Sequence, residues 1–330
     1  MRIGLIDVDG HNFPNLPLMK LSAWHKQKGD TVEWYSALNE RRYDKVYMSK
    51  VFSFTPDYPY FINADEIIKG GSGYAIRVED GKEIFDKSLD KDLPYEIEHI
   101  YPDYSIYYDK IDGMRDTAYG FLTRGCPRGC EFCHVVCKEG RKSYKVADLN
   151  EFWRGQTKIV LCDPNITAAH ECLDLFDQLI DSNSWIELNQ GLDIRMMTEA
   201  KIEKLKQIKI KHIHFAWDRY QDKDKVVPKF EMFKELYGGN RGNTVVYILS
   251  NFDTTLEQDL ERIYFVRDLG YSPYLMVYQK DSLPVTHTIR KLQRYVNNRY
   301  VFNACESFDE YLSTKRGDYK KNENQITLFE

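Results

Sequence analysis

The stretch TAYGFLTRGCPRGCEFCHVVC, Thr117 to Cys137, holds four of the chain's seven cysteines. Its opening, TAYGFLTR, reads as a strand. The rest is a loop in which Cys126, Cys130, Cys133 and Cys137 stand at C-x3-C-x2-C-x3-C spacing. Thiols this close together point to a metal, because thiolate is a soft ligand for zinc or iron. Structural zinc takes two cysteine pairs separated by a longer insert, so that four ligands approach as a tetrahedron. Here all four lie in one loop, and Cys162, Cys172 and Cys305 are scattered. A ferredoxin cluster prefers C-x2-C-x2-C, and the first gap here is longer.

Outward from this stretch the pattern is alternating. Strand candidates downstream are KIVLCD, WIELNQG, HIHFAW, NTVVYILS and PYLMVYQ. Helix candidates between them are AAHECLDLFDQLIDS, TEAKIEKLKQI, VPKFEMFKELY and LEQDLERIYFVRDLG. A βα unit repeated about six times over 113–300 predicts an α/β fold, a partial (β/α)6 TIM-like barrel. Sites in such folds lie at the carboxyl ends of the strands, so the cysteine loop belongs to that face. Upstream, 1–112 reads as a small Rossmann-like parallel-sheet domain. RIGLIDV is its first buried strand, and NLPLMKLSAWHKQKGD a helix closed by Gly29. TVEWYS, YDKVYMSKVF and ADEIIKGGSG carry further strands. The tyrosine-rich DLPYEIEHIYPDYSIYYDKI is predicted to be an ordered connector, since so many tyrosines are seldom left in water. The segment 301–330 is a C-terminal extension whose end, STKRGDYKKNENQITLFE, reads as a flexible tail.

Composition sets the limits. The 330 residues are 42% hydrophobic and 29% charged, as in a soluble globular protein. A net charge of −5 makes the whole molecule no general polyanion binder. No apolar run nears the roughly 20 residues of a membrane span. The start, MRIGLIDVDG, has no signal-peptide layout. An odd, clustered set of cysteines fits metal chemistry in a reducing cytoplasm better than a secreted disulfide framework.

The C-x3-C-x2-C spacing with Phe132 before the last cysteine resembles the radical S-adenosylmethionine (radical SAM) superfamily, whose loop also follows the first strand of a partial barrel. The resemblance spans about 113–298. It implies that Cys126, Cys130 and Cys133 hold a [4Fe–4S] cluster, with S-adenosylmethionine on the fourth iron and Cys137 left out. It implies reductive cleavage to a 5′-deoxyadenosyl radical acting on an unknown substrate, with an electron donor such as flavodoxin or ferredoxin. Position then assigns to S-adenosylmethionine Phe132 of the loop, Asp163 and Asn165 of CDPNIT, Gln190, Asp193 and Arg195 of NQGLDIR, Asp218 of FAWDR and Ser250 of ILSNFDTT. The family's usual GGE is missing after the second strand.

The N-terminal section resembles, in degenerate form, the cobalamin-binding domain that precedes many radical SAM barrels. DGHNFP supplies His11, with Pro14 where the family has glycine, and Ser49, Gly70 and Gly71 follow in the family's order. Cobalamin is thus a second implied cofactor, and a cobalamin-dependent methyltransferase the alternative function. The other alternative is a non-catalytic Fe–S protein. Finally, Gln325-Ile-Thr-Leu-Phe329 resembles the peptide by which bacterial proteins dock on the DNA sliding clamp, which hints at a DNA-associated role.

Overall fold

The computed structural model describes residues 1–10, 12–79 and 82–318. His11 and the tail stretch Gln325–Phe329 therefore lie outside the described residues. The chain divides into two compact units, Met1–Gln190 with Lys204–Lys211, and Gly191–Glu203 with the chain from His212 onward. The architecture is mixed α/β with parallel sheets.

In the first unit, β1 (Arg2–Asp7), β2 (Thr31–Trp34), β3 (Tyr43–Ser49) and β4 (Ala64–Gly70) form a parallel sheet in the order β2-β1-β3-β4. Alternation along β1 builds a core on each face. Ile3 and Leu5 pack with Leu18, Leu21 and Ile97, whereas Ile6 packs with Tyr43, Val46 and Met48. The helix α1 (Leu16–Gln27) covers the first face. The Asn15 side chain caps its N-terminus by accepting from the Leu18 amide at 3.3 Å, and Gly29 follows its end at φ 79°. On the other face Tyr35, Tyr58 and Ile62 cover the core, because the segment 50–63 crosses from β3 to β4 as irregular chain.

The connector is ordered, as its tyrosines predict. Tyr107 is 2% exposed; its hydroxyl donates to Asp7 at 2.6 Å and accepts from the Asn15 amide at 3.1 Å. Tyr104 likewise donates to the Phe152 carbonyl at 2.7 Å and accepts from the Tyr119 amide at 3.0 Å. These two hydroxyls tie the N-terminal sheet to the next one within the same unit.

That next sheet is also parallel. It runs in the order β8-β7-β6-β5, with β5 Thr117–Gly120, β6 Lys158–Leu161, β7 Trp185–Leu188 and β8 Lys209–Ile210. The strand expected over TAYGFLTR stops at Gly120. Thr123–Arg124 instead pairs antiparallel with Tyr144–Lys145. The helix α2 (Cys172–Ser182) buries Cys172, Leu175, Phe176 and Leu179, one helical face.

The second unit is built on a parallel sheet of β9 (Ile213–Ala216), β10 (Thr244–Ser250) and β11 (Ser272–Val277). Helices α3 (Lys223–Leu236), α4 (Leu256–Asp268) and α5 (Thr288–Asn297) pack on it. Val226, Phe230 and Phe233 of α3 share a face, and both phenylalanines meet Phe215 edge-on. The Asn297 amide pairs with Leu275 through both N–H and C=O at 2.8 and 3.0 Å, standing in for a neighbour at the edge of β11. A helix, Phe308–Asp318, runs into the segment read as tail. No helix among the described residues is long and apolar enough to cross a membrane.

Two adjacent glycines give a sharp test of this packing. At Gly71, with φ 96°, a Cβ would lie 2.3 Å from the Lys50 carbonyl oxygen, whereas at Gly70 it would meet nothing within 4 Å. Gly71→Ala is expected to cost about 2–3 kcal/mol in urea unfolding, and Gly70→Ala less than about 1 kcal/mol. Equal costs would overturn the close-approach account.

Candidate active site

The cysteine loop leaves the carboxyl end of β5 in the first unit. The buried Asp163, just past the end of β6, fixes the point of departure. Its carboxylate accepts from the Leu122 amide at 3.2 Å and from both the amide and the hydroxyl of Thr123. The short antiparallel ribbon then closes the base of an excursion over residues 125–143. Gly125, at φ 78°, makes the turn; a Cβ there would lie 2.1 Å from the Lys142 carbonyl oxygen. Glu139 completes the base, accepting from the Gly125 amide and from Arg124, each at 2.9 Å.

Within the excursion Cys126 and Cys130 are half-buried and Cys133 exposed. The Cys133 amide donates to the Cys130 carbonyl at 3.0 Å, and the Cys126 amide to the Gly140 carbonyl at 3.3 Å. Phe132 is half-buried between the last two cysteines. Cys137 lies on a short helix, Val135–Glu139, where its thiol donates to the His134 carbonyl at 3.2 Å. Among the described residues no group of three or more His, Cys, Asp and Glu side chains is already gathered around a metal position. The donor set nevertheless fits an iron–sulfur cluster. It offers three soft sulfurs on one glycine-jointed loop.

Asn165, also expected at the site, is brought to the loop. Its amide lies 3.4 Å from Cys126 Sγ, and Thr167 orients it by donating to its oxygen at 2.8 Å. Asp163 is not presented. It is 3% exposed and both its oxygens are engaged, so it holds the strand end rather than a ligand. Burial pushes its carboxyl up to about 6 against those hydrogen bonds. Gln190 is exposed just beyond β7.

In the second unit Asp193 and Arg195 sit on a turn before β9, and Asp218 and Asp222 follow that strand. Arg195 bridges Asp193 at 2.7 Å and Asp222 at 2.5 Å. Asp218 faces the same group. Burial pushes its carboxyl up to about 6 although Arg195 and Arg262 pull it down. Ser250 corrects the sequence reading: it has no exposed surface, and its hydroxyl donates to Asp259. Asp259 pairs in turn with the fully buried Arg262, which donates to the carbonyls of Trp217, Asp218 and Leu249 at 2.7–2.9 Å. Sequence reasoning missed Glu139, Asp222 and this Asp259–Arg262 pair. The last had a signal, a charged pair three residues apart on the helix face that also carries Ile263 and Val266.

Two of the residues assigned to cobalamin, Ser49 and Gly71, serve packing. Ser49 is 4% exposed and accepts from the Asn15 amide at 2.8 Å. The Gly71 backbone lies against Lys50. Asp9 accepts from the amides of Val51 and Phe52 and the Thr55 hydroxyl at 2.6, 3.3 and 2.7 Å.

No protein-family profile matches the chain, and no curated protein does. The likeness found is one of fold. The chain is similar to the radical S-adenosylmethionine methyltransferase TsrM from Kitasatospora setae, solved with cobalamin and a [4Fe–4S] cluster bound. The TM-score is 0.57 at 10% identity, over 84% of this chain and 74% of that one.

The raised Asp218 carboxyl sets a pH test. Ionising it costs more in the folded than in the unfolded chain, so it lowers stability as pH rises from about 4 through about 6. Asp218→Asn is expected to match the wild type near pH 4. It gains up to about 2 kcal/mol over it by pH 7, read from denaturant midpoints across that window. A gap that does not vary with pH would overturn the assignment.

Proposed function

We propose that the chain is a radical SAM enzyme in which Cys126, Cys130 and Cys133 hold a [4Fe–4S] cluster. The observation that carries this reading is the cysteine excursion at the carboxyl end of β5, in a fold similar to that of a radical SAM enzyme. When bound, the cluster supplies one electron to S-adenosylmethionine, whose C–S bond breaks to give methionine and a 5′-deoxyadenosyl radical.

The chain's own groups bind and orient. Three thiolates rather than four leave one iron for the ligand, and Cys137, turned to the His134 carbonyl, stays out. The Asn165 amide donates toward Cys126 and steadies its thiolate. Phe132 shields the loop between Cys130 and Cys133. Within the second unit Asp193, Arg195 and Asp218 form one polar group with Asp222, which holds Arg195. The substrate is not specified by these residues.

Anaerobic reconstitution with iron and sulfide, followed by reduction with S-adenosylmethionine present, is expected to yield 5′-deoxyadenosine. Cys130→Ala abolishes both the cluster's absorbance and the product, whereas Cys137→Ala keeps both. A cluster without product would make the chain a non-catalytic Fe–S protein, and loss on Cys137→Ala would make it a four-thiolate site.

Methyl transfer through cobalamin is the second reading, favoured by the corrinoid bound in the similar structure. The packing roles of Ser49 and Gly71 oppose it. It requires corrinoid to copurify after growth with cobalamin and S-adenosylhomocysteine to form; the packing argument predicts neither.

A further inference from the structure

The N-terminal sheet holds a cavity of about 250 Å3 at the carboxyl end of β1. The carboxyl edge of a parallel sheet is where such folds bind ligands. Four aromatic rings shape the cavity, those of Trp34, Tyr35, Tyr58 and Tyr107, and two charged groups reach it, Asp7 and Lys110. The rings are braced rather than loose. Trp34 meets Tyr107 edge-on at 5.1 Å and donates from its indole to the Ile106 carbonyl at 2.8 Å. Tyr35 meets Tyr58 at 90°, and its hydroxyl accepts from the Asn63 amide at 3.0 Å.

The charges are set to receive something. The Tyr107 hydroxyl accepts from the Asn15 amide, so its own proton goes to Asp7 Oδ2 at 2.6 Å. The other oxygen, Oδ1, has a long contact of 3.4 Å from the Gly10 amide. Asp7 lines the cavity. Lys110 lies at the rim with its ammonium 3.8 Å above the Trp34 ring. Among the described residues Asp7 and Lys110 form no ion pair with each other, although each lines the same space. Burial raises the Asp7 carboxyl above the usual carboxylate range, although the Tyr107 hydroxyl, the Gly10 amide and Lys110 pull it down.

We propose that this cavity binds the flat 2-amino-4-oxopyrimidine edge shared by guanine and pterins. The ring N–H and the exocyclic amine donate to Asp7, the ring oxygen accepts from Lys110, and the ring stacks among Trp34, Tyr35 and Tyr58. Each alternative fails on one wall. Adenine presents no carbonyl to Lys110 and no paired donors to a carboxylate. An organic cation would satisfy Asp7 but be repelled by Lys110. An aliphatic ligand would forgo the stacking. The volume lies at the small end for ligand sites, which suits one heterocycle. The site stands apart from the cysteine loop and does not depend on the cluster chemistry.

Calorimetric titration of the full-length protein with guanosine, pterin and adenosine tests the proposal. Saturable binding of guanosine or of pterin is expected, and the tighter of the two identifies the source. Adenosine binds at least about tenfold more weakly. Asp7→Asn, which still accepts from Tyr107, weakens binding by about tenfold or more. Lys110→Met, a rim change that leaves the core alone, does the same and stands as the test if Asp7→Asn does not fold. No saturable binding of either probe, adenosine binding as tightly, or a Lys110→Met variant that binds like the wild type would each overturn it.

Discussion

The carboxylate of Asp163 is the interaction on which the candidate site depends. A strand that simply ran on from Gly120 would carry Cys126 away from the sheet. Instead Asp163, anchored past the end of β6, takes the Leu122 and Thr123 amides and the Thr123 hydroxyl. Those are the backbone groups freed where strand pairing stops, and buried backbone donors must find acceptors. The clamp converts a neighbouring strand end into a fixed launching point. Gly125, Glu139 and the Thr123–Arg124 ribbon then repeat that logic one step further out.

Much of this was legible in the sequence. Each of the six strand candidates from TAYGFLTR to PYLMVYQ overlaps a strand, because short apolar runs bounded by turn residues leave little choice. The four helix candidates between them also form, as does the tyrosine connector. The division of TAYGFLTR was not legible. Nothing in its residues distinguishes a continuous strand from one that breaks at Gly120, since the break is imposed by Asp163, forty residues downstream. The helix Thr288–Asn297 was missed for a similar reason. Its apolar face of Leu292, Tyr295 and Val296 is sparse among basic residues, and it gains its place by packing against β11.

The candidate site was legible in type more than in position. Polar residues at the carboxyl ends of parallel strands were read as ligands, and several are struts. Asp163, Ser250, Ser49 and Asp9 share one property: each satisfies backbone or side-chain groups stranded where a sheet ends. A strand end frees amides and carbonyls, so it demands polar side chains whether or not a ligand binds there. Sequence position alone cannot separate the two demands. The accounting of donors and acceptors can: a residue whose oxygens are all taken is structural.

The same accounting singles out what is left over. Asp218 keeps a carboxylate that burial disfavours, and Asp7 keeps an oxygen with one long contact beside an aromatic-walled cavity. In each case burial outweighs what the fold supplies, Arg195 and Arg262 at Asp218 and the Tyr107 hydroxyl at Asp7. Asp163 is raised as well, but its oxygens are taken by three donors that organise the loop. A charge kept under-satisfied lowers stability, and a fold bears that where the charge meets something outside the chain. On that argument the two units each carry a point of unfinished electrostatics. In the second it lies after β9 and in the first after β1, both at carboxyl strand ends, where parallel sheets receive ligands.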